Sequence, residues 1–215
     1  MKKAVFCTGI LAVVLLTAGA AVAETISDDT NDVLHWRWNE SLKSYSWSEA
    51  TSDKPNVDIT QISADVSNGQ LTITIKVKGS IEDDEDVWYW AWYNTTEATY
   101  YLSYSNGEGS LFGIGSNYTQ FKQANVTVSG DTITGTVDLV GSGTKVKFWA
   151  WAATGYNMGG DSGEYWQDWA PNDYAPELDN GDGDDNGDDS TPGFGVLLAM
   201  GALVAGAVLL TRKRR

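Results

Sequence analysis

The stretch that decides the fold runs from Val57 to Val77 and reads VDITQISADV-SNGQ-LTITIKV. From Leu71 onward every odd-numbered residue is Leu, Ile or Val, and every even-numbered residue is Thr or Lys. Alternation with a period of two predicts a strand that buries one face. The Asn68-Gly69 pair in the link is a strong signal for a tight hairpin turn. The stretch therefore predicts two antiparallel strands joined by a short turn.

Further segments outside this hairpin alternate in the same way or are rich in β-branched and aromatic residues. They are Leu34–Trp38, Val87–Tyr93, Thr99–Tyr104, Ala124–Ser129, Thr132–Leu139 and Lys145–Ala152. Helical periodicity is nearly absent between them, and Gly-containing turns separate several of them. About eight strands joined mostly as hairpins predict an all-β fold, a single antiparallel β-sandwich. A closed β-barrel is the alternative.

The N-terminal residues 1–23 have the features of a secretory signal peptide. A basic start is followed by an apolar run, which would form the signal helix, and by the small-residue cleavage site Ala21-Val22-Ala23. Signal peptidase would then leave Glu24 as the first residue, the alternative being a retained membrane helix. The single cysteine, Cys7, lies inside this segment. The mature chain would contain no thiol, which excludes disulfides and cysteine chemistry.

The C-terminal end predicts a membrane segment. An uncharged apolar run begins at Phe194, and the chain ends in the basic cluster Arg212-Lys213-Arg214-Arg215. A transmembrane helix over residues 194–211 would keep this cluster in the cytoplasm and place the preceding chain outside the cell. Residues 24–175 would form the extracellular domain. Residues 176–191, mostly Asp, Gly, Asn and Ser, would be a disordered acidic spacer.

The overall charge limits the possible partners. The formal net charge is −15 at pH 7, so nucleic acids and anionic lipids are disfavoured as ligands. Cations and cationic ligands are favoured. An acidic surface is also typical of proteins that stay soluble in salty surroundings.

The sequence Thr191-Pro192-Gly193-Phe194-Gly195 opens the hydrophobic tail. With the acidic spacer before it and the basic end after it, this region resembles the PGF-CTERM sorting signal of archaeal surface proteins. The resemblance implies recognition of Pro192, Gly193 and Phe194 by an archaeosortase, removal of the tail and attachment of a lipid. It also implies a place at the cell surface, in or beside an S-layer.

The domain itself has a weaker likeness. An Asp-rich N-terminal segment, a VDIT sequence entering a hairpin and a closing DWAPND sequence are similar to β-sandwich domains of the DOMON and family 9 carbohydrate-binding type. The haem ligands of the DOMON type cannot be assigned here, because the chain has one His and three Met. The likeness therefore implies a sandwich but no cofactor.

Tryptophan is the most unusual feature of the composition. All ten lie in the domain, and two strands share a Trp-Ala-Trp core. Alternation places Trp149 and Trp151 on the same face as Lys145 and Lys147, so we expect this face to be partly open. For Trp149 and Trp151 this favours an aromatic platform for sugar rings or cations, whereas the orientation of the Trp88, Trp90 and Trp92 row stays open. A Trp-rich core is the other interpretation of both rows. The candidate platform residues are Trp88, Trp90, Trp92, Trp149 and Trp151.

One acidic loop is a candidate calcium site. Glu82-Asp83-Asp84-Glu85-Asp86 places five carboxylates between two strands, and Ca²⁺ takes 6–8 oxygen ligands. A solvated charged loop is the alternative. No other cofactor is predicted.

The sequence gives little support for catalysis. The one histidine, His35, lies in an alternating strand, and no nucleophile elbow, phosphate loop or zinc motif is present. A carboxylate pair of the glycosidase type stays open, because carboxylate separations are invisible in a sequence. Four N-glycosylation sequons begin at Asn39, Asn94, Asn117 and Asn125.

These observations predict an archaeal cell-surface glycoprotein that is anchored in the membrane and is not an enzyme. Its domain would bind carbohydrate or another envelope component, such as the S-layer or a surface glycan. A purely structural envelope protein is the first alternative, and a surface glycoside hydrolase is the second.

Overall fold

The structure is a computed structural model and describes residues 22–41, 43–49, 53–118, 120–156 and 163–174. The predicted signal peptide up to residue 21, the spacer, the sorting motif at Pro192, Gly193 and Phe194 and the predicted membrane helix lie outside these residues. Within the described ranges no helix is long and apolar enough to cross a membrane.

The described residues form twelve strands and one 3-10 turn, Asn172–Tyr174, with no α-helix among them. The strands are β1 Val22–Ser27, β2 Leu34–Asn39, β3 Ser44–Glu49, β4 Ile59–Ser67, β5 Gln70–Val77, β6 Val87–Thr95, β7 Ala98–Ser105, β8 Glu108–Gly115, β9 Phe121–Ser129, β10 Thr132–Asp138, β11 Lys145–Thr154 and β12 Glu164–Ala170.

All strand pairs are antiparallel, in the order β1-β4-β5-β10-β9-β8-β7-β6-β11-β12-β2-β3. The two end strands, β1 and β3, do not pair with each other, so the sheet is open rather than closed. The prediction of an all-β sandwich is confirmed.

Strand β9 pairs with both layers of the sandwich and connects them. Its end from Val126 to Ser129 pairs with β10, and its start from Phe121 to Asn125 pairs with β8. The first layer comprises β1, β4, β5 and β10, and the second extends from β8 through β7, β6, β11, β12 and β2 to β3. Strand β4 contacts β11 and β12 across the interior, and β5 contacts β6.

The predicted hairpin is the centre of the first layer. Strands β4 and β5 pair with Ser67 opposite Gln70, and Asn68 and Gly69 both have positive φ, as a tight hairpin turn requires. The alternating apolar residues of β5 are fully buried. They pack against the inner residues of the second layer, among them Tyr89, Tyr93, Tyr100, Leu102, Phe148, Ala150 and Ala152.

Candidate functional site

The two tryptophan strands lie side by side in the second layer. Strands β6 and β11 pair so that Trp149 lies opposite Trp92 and Trp151 opposite Trp90. Their alternate residues, such as Tyr89 and Ala150, belong to the core. The indoles therefore lie on the other side of this layer, which turns away from the first layer. Alternation thus placed the indoles of β11 on the face opposite Phe148, Ala150 and Ala152, as expected.

These indoles pack into a second aromatic cluster, separate from the core, which we call the tryptophan layer. Its members are Trp88, Trp90, Trp92, Trp149, Trp151 and Trp169, bordered by Tyr101, Tyr156 and Tyr174. The rings of Trp92 and Trp149 stack with centroids 4.1 Å apart and planes 8° apart. Trp149 also stacks on Trp169 at 5.3 Å and on Tyr174 at 5.8 Å.

The expectation of an open Trp149–Trp151 pair is wrong for Trp151, which is 4% exposed. Trp90 and Trp92 are equally buried, at 5% and 4%, whereas Trp88 and Trp149 are half-buried. Trp151 lies on β11, and the neighbouring strands β6 and β12 cover it with the indoles of Trp90 and Trp169. The layer is therefore mostly packed against itself, and it is not an open platform.

The lysines of β11 also depart from strict alternation. A register irregularity falls between Lys145 and Lys147. The ammonium group of Lys147 lies 4.2 Å from the ring centroid of Tyr174 at the border of the layer. Lys145 instead forms an ion pair with Glu24 on β1. Only Lys147 therefore keeps the predicted place beside the indoles.

The same outward face continues onto β7, β8 and β9 and carries three more rings, which we call the ring row: Tyr101, Phe112 and Phe121. The register places Tyr101 opposite Phe112, with centroids 5.1 Å apart and planes 27° apart. Phe112 and Phe121 follow at 6.1 Å and 26°. Tyr101 meets the edge of Trp92 at 6.1 Å, which joins the ring row to the tryptophan layer.

The ring row is more open than the tryptophan layer. Phe121 is 60% exposed, and Tyr101 and Phe112 are half-buried. Gln123 lies opposite Phe112 on β9, and both Gln123 and Asn125 are exposed. Aromatic rings flanked by amide groups offer an apolar contact together with hydrogen-bonding groups that fix a ligand's orientation. These rings could not be recognised as a group in the sequence, because each strand contributes only one of them.

The Glu82–Asp86 loop is exposed, and three of its five carboxylates accept hydrogen bonds from other groups of the chain. Glu82 accepts a hydrogen bond from Asn56 at 3.0 Å, and Asp83 accepts one from Tyr104. Asp84 accepts the amide N–H of Asp86 at 3.1 Å. No three of these carboxylates come within ligand distance of one another. The predicted calcium loop therefore lacks a converging set of ligands among the described residues Glu82, Asp83, Asp84, Glu85 and Asp86.

A different carboxylate cluster forms where the N-terminal segment meets β12. Asp28, Asp32 and Asp168 each place an oxygen within 4.8 Å of the others. Burial raises the pKa of Asp28 to about 8, with neighbouring acids adding to the effect. The pKa of Asp168 is also raised, first by burial and then by the charges of Asp32 and Asp28. This cluster could not be recognised in the sequence, because Asp168 is far along the chain from Asp28 and Asp32.

His35 has structural contacts. Its ring stacks on Trp166 at 4.6 Å, and its Nε2 lies 3.1 Å from a carboxylate oxygen of Glu164. The ammonium group of Lys54 lies over the ring of Trp166, 4.2 Å from the ring centroid.

The four sequon asparagines differ in exposure. Asn125 and Asn117 are exposed, and Asn39 is half-buried. Asn94 was expected to follow a strand, but β6 extends to Thr95 and the Oδ1 atom of Asn94 is buried. Asn125 is therefore more exposed than Asn94.

Comparison of the chain with protein-family models, with curated proteins and with solved structures found no match in any of the three. What the domain binds is therefore inferred from its own residues.

Proposed function

We propose that this chain is a surface-anchored binding protein of an archaeal cell envelope. Its signal peptide would direct export, and the PGF-CTERM-like tail would direct processing by an archaeosortase. The β-sandwich would bind a neutral polysaccharide of the envelope or S-layer along the ring row, without catalysing a reaction.

The observation that carries this proposal is the ring row on the outward face of the second layer. A sandwich needs one core, and the inner residues of both layers already form it. The ring row lies on the opposite face and extends to Phe121, which is 60% exposed. These rings are not part of that core. Apolar patches on a surface of this kind are typical of interaction sites.

The surroundings of the row favour a neutral, hydroxyl-rich ligand. Sugars present C–H faces that fit an aromatic ring and hydroxyl groups that fit amides, and the exposed Gln123 supplies an amide beside the row. The net charge of −15 disfavours an anionic polymer. The packed tryptophan layer supports the row through the contact between Trp92 and Tyr101.

The packing of Trp149 favours a second candidate, a structural envelope protein without a ligand. The ring of Trp149 stacks on Trp92, Trp169 and Tyr174, so these contacts already occupy its faces. If every aromatic residue of the outward face served only packing, the ring row would add stability and nothing else.

Retention of the full-length protein on insoluble cellulose, chitin and a polysaccharide extract of an archaeal envelope separates the two candidates. We expect Phe121→Ala to lose retention and to keep its stability. Val146→Ala is the matched control, because Val146 is 63% exposed but lies outside the row. Absence of retention on all three materials, or equal retention of both variants and the unmodified protein, would favour the structural role.

A further inference from the structure

The carboxylate cluster at the N-terminal edge of the domain has unpaired oxygens that are hidden from solvent. Oδ2 of Asp28 and Oδ1 of Asp32 are both buried and have no hydrogen-bond partner. An ionised carboxylate only accepts hydrogen bonds, so such an oxygen needs a donor, a proton or a cation.

The third member of the cluster is held in a fixed position. Asp168 is 1% exposed and lies on the inner face of β12, opposite Ala152. Its Oδ2 accepts the amide N–H of Ile59 at 2.6 Å, and its Oδ1 accepts that of Trp169 at 2.8 Å. Two backbone donors therefore orient this carboxylate before any ligand arrives.

A fourth carboxylate, outside the group of three, gives independent support. Asp58 is fully buried, its Oδ1 has no partner, and its charge acts on both Asp28 and Asp32. Its Oδ2 accepts the amide N–H of Asn31 at 3.0 Å and lies 3.4 Å from the ammonium group of Lys78. Asp58 and Asp168 are buried and Asp28 and Asp32 half-buried. Among the described residues, Lys78 is the one cation that forms an ion pair with any of these four acids.

The geometry fits a hard divalent cation. Oxygens that bind one Ca²⁺ at about 2.3–2.6 Å lie at most about 5 Å apart, and the three carboxylates lie within 4.8 Å of one another. All donors are oxygens, which suits calcium better than a transition metal. Asn172 donates a hydrogen bond to Oδ2 of Asp32 at 2.7 Å and helps to orient it.

We propose that Asp28, Asp32 and Asp168 bind one Ca²⁺ ion that joins the segment between β1 and β2 to β12. The charge of Asp58 acts on Asp28 and Asp32. The ion connects the beginning of the domain to the strand from which the chain leaves toward the spacer. This site differs from the Glu82–Asp86 loop and does not depend on polysaccharide binding.

Thermal unfolding of the full-length protein tests the site, with EGTA, CaCl₂ or MgCl₂ added at fixed ionic strength. Binding to the folded state alone should raise the midpoint by about 5–10 °C at a hundredfold excess of calcium over its dissociation constant. We expect Asp28→Asn to remove most of this shift. The matched control Asp84→Asn, in the exposed loop, should keep it.

Terbium luminescence gives a direct second readout, because the indole of Trp169 follows Asp168 and can sensitise a bound lanthanide ion. We expect emission that CaCl₂ displaces and that Asp28→Asn reduces at least tenfold. The proposal is overturned if calcium leaves the midpoint unchanged, or if Asp84→Asn loses the calcium response while Asp28→Asn keeps it.

Discussion

At the residue scale, the indole of Trp151 is surrounded by other rings. Its centroid lies 5.2 Å from that of Trp90, 5.7 Å from Tyr156 and 6.4 Å from Trp169. The indole N–H groups of Trp90, Trp151 and Trp169 are buried without an acceptor, so packing rather than hydrogen bonding holds them. The contribution of each aromatic residue therefore depends on how many neighbours cover it.

Replacing Trp151 by Ala should lower the free energy of unfolding by about 3–5 kcal/mol, as expected for a buried aromatic residue. Phe121→Ala should change it by no more than about 0.5 kcal/mol, because Phe121 is mostly exposed. Urea unfolding followed by circular dichroism measures both. A Trp151→Ala variant as stable as the unmodified protein would show that the tryptophan layer contributes little to folding.

The pKa of Asp28 predicts an unusual dependence of stability on pH. With a folded-state pKa of about 8 and an ordinary value of 3.8, the folded protein binds more protons than the unfolded chain between these values. Stability should therefore fall as pH rises from about 4 to about 8 in the absence of divalent cations. The charges of Asp32, Asp29 and Asp58 add to the effect of burial on the pKa of Asp28. The raised pKa values of Asp32 and Asp168 change stability in the same direction.

Melting midpoints measured in EGTA at several pH values test this dependence, with Asp28→Asn as the control. The variant should show a weaker decline, because its amide does not titrate. Saturating calcium should also weaken the decline in the unmodified protein. A midpoint that rises steadily from pH 5 to pH 8 in EGTA would contradict the prediction.

At the element scale, the strands that could be predicted are those with clear alternation or strong β propensity, such as β5 and β10. Strand β12 escaped prediction because both of its faces are covered, which leaves no alternation in EYWQDWA. Strand β8, EGSLFGIG, is weakened by three glycines. The Asn106-Gly107 turn that introduces it, with positive φ at both residues, was an overlooked hairpin signal.

The two candidate sites were beyond sequence reasoning for a different physical reason. The ring row takes one ring from each of three strands, so it can be recognised only when the register of β7, β8 and β9 is known. The carboxylate cluster needs β12 to pack against β4 across the interior, where Asp168 accepts the amide N–H of Ile59. Alternation predicted the face of Trp149 and Trp151, but their burial depends on neighbouring strands.

A glycine of β8 has a specific packing role. Gly113 lies opposite Tyr100, and a Cβ atom added at Gly113 would stand 2.5 Å from the Cε1 atom of that buried ring. Gly113→Ala should therefore destabilise the domain by about 1–3 kcal/mol through overpacking. Ser110→Ala on the same strand is the control and should cost less. Equal urea midpoints for the two variants would contradict the close approach.

At the scale of the whole molecule, the proposed export and surface attachment must be compatible with the folded domain. Strand β1 spans Val22–Ser27, so cleavage after Ala23 would remove its first two residues and keep Glu24, which pairs with Lys145 on β11. The remaining part of the strand can still pair with β4. Processing at this site is therefore compatible with the fold.

The mature protein should begin at Glu24 and lack its C-terminal hydrophobic tail. Intact-mass analysis of protein from its native membrane measures both ends. Material that retains Arg212 to Arg215 would contradict processing by an archaeosortase. Material that retains residues 1–23 would contradict cleavage of the signal peptide.

The central claim is that the ring row binds a polysaccharide. The most direct test mixes the full-length protein with the insoluble polysaccharide that retains it and measures, at equilibrium, the protein left in solution. Burial of a Phe side chain is worth about 1.5–3 kcal/mol, so Phe112→Ala/Phe121→Ala should weaken binding at least tenfold. Circular dichroism should confirm that the double variant is folded. A folded double variant that binds as tightly as the unmodified protein would contradict the claim.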